Sequence, residues 1–126
     1  MTVAFYLGWA IAAVLIVVGI YALLAPRAVG RHYGVPVEGD RETAYVRATG
    51  IRDVGIGVAL AATAYFHFLP LLIVLAVVGV VVSVVDLWVV ARHGGHRRVH
   101  PAHAIHASGI VAFILIIAMA LFAVGR

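Results

Sequence analysis

The chain has 126 residues, of which 65% are apolar and 11% are charged, and its mean hydropathy is +1.15. Because soluble domains are about half apolar and a quarter charged, this composition excludes a water-soluble helical bundle. The absence of cysteine excludes thiol–disulfide chemistry and thiolate metal sites. All nine basic residues are arginine, and arginine-rich loops beside membrane spans explain the pI of 10.1 better than a nucleic-acid partner does.

The first apolar run extends from about Val3 to Ala25 and stops at Pro26 and Arg27. At 1.5 Å per residue it is long enough to cross a hydrocarbon core of roughly 30 Å. A cleaved signal peptide begins with a basic segment, and no basic residue precedes Arg27, so we expect this run to be retained as a span. Residues 26–44 are polar and rich in turn-forming residues, and they are predicted to form an extramembrane segment.

Three further apolar runs predict spans over residues 45–68, 70–91 and 104–124. Residues 67–70 leave room only for a tight turn between the second and third spans, and Pro70 suits the first turn of a helix. A basic loop over residues 92–101 joins the third span to the fourth. The sequence therefore predicts an all-α fold, with one integral membrane four-helix bundle over residues 1–126.

Arginine is concentrated at one predicted membrane face. Eight of the nine arginines lie in the two long loops or in the adjoining end of the second span, and the ninth is Arg126. Excess arginine in short loops marks the cytoplasmic side of a membrane. We therefore predict a multi-pass protein of the bacterial inner membrane with both termini outside.

Small residues recur at helix-packing spacing in each predicted span. In lipid, such residues let helix backbones approach closely, so these stripes are expected to face one another. They are Gly8, Ala12 and Gly19 in the first span, Gly50, Gly57 and Ala61 in the second, Ala76, Gly79 and Ser83 in the third, and Ser108, Gly109 and Ala112 in the fourth.

Polar residues inside the spans form a candidate site. Arg52, Asp53 and Asp86 are placed at a similar depth, roughly 8–10 Å from the cytoplasmic surface, with His106 slightly shallower and Tyr21 nearby. Charges at this depth are costly and are usually paired or functional. Two interpretations are open: an Arg52–Asp86 ion pair that fixes helix register, or a polar pocket that binds a ligand head group or relays a proton.

Five histidines lie within fourteen residues. Imidazole is a ligand for zinc, copper and iron, and His103 and His106 are three residues apart at a helix start, so these two are the candidate metal ligands. No carboxylate lies among the five, which favours a protonatable basic loop beside anionic lipid head groups over a metal or haem site. The series comprises His93, His96, His100, His103 and His106.

Several segments together resemble a bacterial family of small four-span membrane proteins that is classified as a domain of unknown function and is loosely similar to DoxX-like proteins. The resemblance covers nearly the whole chain and implies a four-helix bundle in which Arg52, Asp53 and Asp86 belong together. It implies no established activity, although DoxX-like proteins have been linked to quinone-coupled oxidation. The segments are residues 19–27, residues 34–36, residues 50–53 with Gly57, residues 85–86, and residues 92–94.

The leading hypothesis is a non-catalytic membrane protein that binds a small ligand or acts as an accessory subunit. The alternatives are a quinone-linked oxidoreductase component, in which Asp53, Asp86 and His106 handle protons, and a proton-coupled transporter that works as an oligomer. No cofactor is predicted, although a bound quinone or lipid is compatible with the pattern. The expected partners are membrane lipids, a larger membrane complex or further copies of the chain, and not nucleic acid.

Overall fold

A computed structural model describes residues 2–32, 37–93 and 101–125, and the side chains of residues 93, 101 and 102 are not described. Within these residues the secondary structure is entirely helical, in agreement with the predicted all-α class. Four helices are long and one is short. They are α1 (Thr2–Leu24), α2 (Pro26–His32), α3 (Asp40–Tyr65), α4 (Leu69–His93) and α5 (Pro101–Val124).

Residues 26–44, predicted to be an extramembrane segment rich in turn-forming residues, contain helical structure at both ends. Proline lacks an N–H and favours the first helical position, so Pro26 ends α1 and begins α2. The short helix buries Val29 and Gly30 and exposes its basic residues. At the other end, α3 begins at Asp40 rather than at Tyr45, because Gly39 caps the helix and acidic residues in the first turn interact favourably with its dipole.

The predicted tight turn between the second and third apolar segments is present. Residues 66 and 67 form a turn, and His67 adopts a φ of 53°, the left-handed conformation that commonly ends a helix. The N–H groups of His67 and Phe68 donate to the carbonyl oxygens of Ala64 and Thr63, which satisfies the last carbonyls of α3. The next helix begins at Leu69, with Pro70 in its first turn as predicted.

Glycines bring the long helices together in two close pairs. At Gly19 in α1, an added Cβ would lie 2.6 Å from the carbonyl oxygen of Gly50 in α3, and at Gly57 it would lie 3.0 Å from the carbonyl oxygen of Ala12. In the other pair, Gly79 of α4 lies directly against the ring of Phe113 in α5. The predicted small-residue stripes therefore do pack against one another, although Ser108 is exposed.

The two ends of the molecule differ in packing. At the end that carries the 66–67 turn, here called the turn end, Phe5, Leu60, Leu72, Phe113 and Ile116 belong to one buried apolar cluster. Leu60, Leu72 and Ile116 have no exposed surface. The opposite end, here called the loop end, contains α2 and the starts of α3 and α5. The polar residues singled out in the sequence lie in the loop-end half of the helices.

Three of the helices are long and apolar enough to cross a membrane: residues Thr2–Leu24, Leu69–Arg92 and His103–Val124. Helix α3 has sufficient length but is more polar, since it includes Arg52, Asp53 and several polar residues near its start. The chain therefore has the composition and helices of a membrane protein. The fourth predicted span, over residues 45–68, stays a prediction.

Candidate functional site

Arg52 of α3 binds two carboxylates, that of Asp53 on the same helix and that of Asp86 on α4, and the second of these contacts joins the two helices. Its Nη2 atom lies 2.9 Å from Oδ2 of Asp86 and its Nη1 atom lies 3.3 Å from Oδ1, so both oxygens of that carboxylate accept hydrogen bonds. Toward Asp53, Nε and Nη2 donate to the same Oδ1 atom at 3.1 and 3.0 Å. The contact expected between Arg52 and the two acids is therefore present, at the junction between the two helix pairs.

Helix geometry explains why the three charged side chains can meet. Asp53 shares a face of α3 with Gly50 and Gly57, both of which are buried against α1, so this face points inward. Arg52 lies one position earlier and projects from the side of α3 toward α4. The side chain of Asp53 is 11% exposed, that of Asp86 is 24% exposed and that of Arg52 is 35% exposed. The carboxylates are thus more enclosed than the guanidinium.

Two cavities adjoin this cluster, and both are lined by Asp53, Asp86 and His106. The smaller, of about 230 Å³, lies at the loop end against Val29 and Gly30 of α2. The larger, of about 350 Å³, extends toward the middle of the molecule. Its further lining is mostly apolar and includes residues of α1, α3, α4 and α5: Ile11, Val14, Leu15, Val18, Ile56, Gly79, Val82, Ser83, Ile105, Ser108, Gly109, Ala112 and Phe113.

His106 is buried, with 8% of its surface exposed, in the second turn of α5. It brings an imidazole to the same cavity walls as the two carboxylates. Of the five candidate residues, Arg52, Asp53, Asp86 and His106 are therefore grouped by the fold. Whether they act as a ligand cluster stays a prediction.

Tyr21 does not join this group, which corrects its placement beside the charged residues. The residue is 46% exposed on the surface of α1, and it lines neither of the two cavities. The reason lies in helix periodicity, because the next residue, Ala22, faces inward against Gly50. A rotation of about 100° per residue then turns Tyr21 outward.

The candidate metal ligands are only partly described. His103 is half-buried and His106 is buried, while His96 and His100 and the side chain of His93 lie outside the described residues. Among the described residues, no group of three or more histidine, cysteine, aspartate or glutamate side chains is placed to hold a metal ion. Metal binding by His103 and His106 stays a prediction.

Several residues of the cavity walls were not predicted from the sequence. Thr49 lines the smaller cavity and Ser83 lines the larger. The sequence pattern did not single out Thr49, and it indicated only a packing role for Ser83. Their positions carry a usable signal, since Thr49 is four residues before Asp53 and Ser83 is three before Asp86. Residues at these spacings share a helix face. No comparable sequence pattern indicated that α2 forms part of the wall of the smaller cavity, because α2 itself was not predicted.

The fold and the site define an all-α membrane protein with a buried ion-pair cluster beside two cavities. The chain belongs to the family described as Domain of unknown function (DUF4267), whose profile matches residues 12–121. Comparisons with curated proteins and with solved structures found no significant match. The expected membership of a family of unknown function is thus confirmed, while the DoxX-like relationship and the bacterial origin stay predictions.

Proposed function

We propose that this chain is a non-catalytic four-span membrane protein that binds a small ligand in the cavities beside Asp53, Asp86 and His106. The observation that carries the proposal is that the same three polar side chains line both cavities. Ligand sites commonly combine an apolar wall with a few convergent polar groups. Polar groups inside a span that line a cavity have a functional interpretation by default.

The distribution of exposed aromatic residues supports α3 as the fourth span. Tyr45 and Tyr65 lie near its two ends and are 76% and 67% exposed. They are twenty residues apart, which in a helix is about 30 Å, the thickness of a hydrocarbon core. Tyrosine and tryptophan are enriched at the two membrane interfaces. Trp88 at the loop end and Trp9 toward the turn end of the neighbouring helices fit the same two levels.

The proposed orientation places the loop end in the cytoplasm and both termini outside. It rests on the arginines of the loop-end half, which include exposed Arg27, Arg31 and Arg41. In this orientation the smaller cavity, at the loop end, lies nearest the cytoplasm, and the ligand site belongs to the inner half of a bacterial inner membrane.

Binding is favoured over transport because the turn-end half is tightly packed. Beyond the larger cavity, Leu60, Leu72 and Ile116 are completely buried and form part of one apolar cluster. A continuous pathway through one copy of the chain would have to pass through these side chains. A site that is closed on one side is suited to holding a ligand, and a transporter would require a different arrangement or further copies.

The test is native mass spectrometry of the full chain after gentle extraction from the membrane. We expect a bound low-mass molecule in the unmodified protein and its loss in Val18→Phe, because Val18 lines the larger cavity and a phenyl ring there would fill part of it. Val17→Phe is the matched control, since Val17 is the adjacent residue and is 66% exposed.

Retention of the same bound mass in both variants, or no bound mass in any of the three proteins, would contradict the proposal. A bound mass that belongs to a quinone would instead favour the oxidoreductase alternative. The comparison of adjacent valines separates occupancy of the cavity from lipid that adheres to the outer surface.

A further inference from the structure

Among the residues that the structure describes, the polar cluster contains two carboxylates and one permanent cation. One guanidinium, that of Arg52, serves both Asp53 and Asp86. Neither cavity has an arginine among its described lining residues, and no lysine occurs in the chain, whereas both carboxylates line both cavities. The cavity walls therefore present carboxylate oxygens and an imidazole, while the compensating cation lies to one side.

The hydrogen bonds of Arg52 leave one carboxylate oxygen outside its reach. Both oxygens of Asp86 accept from the guanidinium, but Arg52 donates to Asp53 through Oδ1 alone. Asp53 has 8% of its surface exposed and lines both cavities. Its Oδ2 atom is therefore the acceptor in the cluster that Arg52 does not engage.

We infer that the ligand is a small lipophilic amine, whose ammonium group binds Asp53 and whose apolar body fills the larger cavity. The inference rests on the proposed ligand-binding function and specifies its ligand class. An ammonium group donates hydrogen bonds to a carboxylate, and such charge-assisted bonds are strengthened where water is excluded. A cavity of about 350 Å³ is at the small end of the range for ligand sites, so the amine is small.

Other ligand classes fit the charge of the walls less well. A carboxylic acid or a phosphate would bring a negative charge toward Asp53 and Asp86, and like charges in a medium of low polarity repel strongly. A quinone carbonyl only accepts hydrogen bonds, and ionised carboxylates have no proton to donate. A quinone could accept from His106 or from a wall hydroxyl, but it would leave both carboxylates without a donor from the ligand. The amine is thus the class whose charge and hydrogen-bond donors both match the cavity walls.

The experiment measures binding of three matched probes to the full chain in lipid nanodiscs by isothermal titration calorimetry. The probes are 2-phenylethylamine, 2-phenylethanol and 3-phenylpropanoate, with empty nanodiscs as the blank. We expect the amine to bind at least tenfold more tightly than the alcohol, which corresponds to about 1.4 kcal/mol, and the acid to give no heat above the blank. Val18→Phe should weaken binding of the amine and Val17→Phe should not.

Asp53→Asn should abolish the preference for the amine over the alcohol, since it removes the charge and leaves the Arg52–Asp86 ion pair in place. Asp40→Asn is the matched control, because Asp40 is fully exposed at the start of α3, and it should retain the preference. The amine assignment is overturned if the alcohol or the acid binds as tightly as the amine, or if none of the three binds. The bound mass in native mass spectra tests the proposed ligand binding separately. A failure of the amine assignment can therefore be distinguished from a failure of the proposed function.

Discussion

Replacing Gly50 with alanine should lower the stability of the protein, although alanine is the better helix former. At Gly50 an added Cβ would lie 2.7 Å from the carbonyl oxygen of Gly19 and 2.9 Å from Cβ of Ala22. Neither atom belongs to a flexible side chain that can move aside, so α1 and α3 must separate. Overpacking of this kind costs about 1–3 kcal/mol, and we expect a loss in the upper part of that range.

The matched control is Gly55→Ala, five residues further along the same helix. A Cβ at Gly55 would have no atom within 4 Å apart from the neighbouring backbone of its own helix, so this change should leave stability unchanged or slightly raised. The measurement is unfolding of each variant in detergent by titration with dodecyl sulfate. Equal stabilities for the Gly50 and Gly55 variants would show that α1 and α3 are not in close contact.

The second large effect is expected from the buried charges. Arg52→Gln removes the guanidinium that Asp53 and Asp86 share and leaves two carboxylates close together inside the protein. Breaking a buried ion pair costs about 3–5 kcal/mol, and we expect about 3 kcal/mol because the guanidinium is partly exposed. Asp86→Asn alone should cost less, since Arg52 keeps its contact with Asp53.

Addition of Asp86→Asn to the Arg52→Gln variant should restore part of the lost stability, because one of the two unpaired carboxylates is then removed. A double-mutant cycle measures this coupling from the unfolding free energies of the four proteins. Arg47→Gln serves as the control, since Arg47 is exposed on the same helix and should have little effect. Additive losses would mean that Arg52 and Asp86 are not paired.

The positions of α1, α4 and α5 were predictable because a long apolar run in the sequence corresponds to each of them. The start of α3 was placed five residues too late, because its first turns are polar. The contact between Arg52 and Asp86 was also predictable. The antiparallel order of the two helices places these residues at the same depth, and the small residues mark the face of each helix that points inward. Helix α2 was missed because its arginines and histidine were interpreted as loop residues, while the inward contact of Val29 is a tertiary effect.

The size and shape of the cavities could not be predicted from the sequence. Their existence depends on how completely side chains from several helices fill the space beside Asp53, and that depends on tertiary packing and not on local pattern. Tyr21 shows the limit in another way: its depth was inferred from residue count, but its direction depends on the rotation of α1, which is set by the contact of Gly19 with Gly50.

The most direct test of the ligand-site account is access to the cavity from each side of the membrane. The chain has no cysteine, so single-cysteine variants can be labelled without background. Thr49 and Thr63 form a matched pair on α3, because each hydroxyl donates to the carbonyl oxygen four residues earlier. Thr49 is exposed at the mouth of the smaller cavity, whereas Thr63 is 3% exposed in the closely packed turn-end half.

Both variants are treated with a membrane-impermeant thiol reagent in inside-out and right-side-out vesicles. Thr49→Cys should react only when the reagent is added on the cytoplasmic side, and Thr63→Cys should not react from either side. Labelling of Thr49→Cys from the outside alone would reverse the proposed orientation. Rapid labelling of Thr63→Cys would contradict a cavity that is closed at the turn end and would indicate a continuous pathway through the protein.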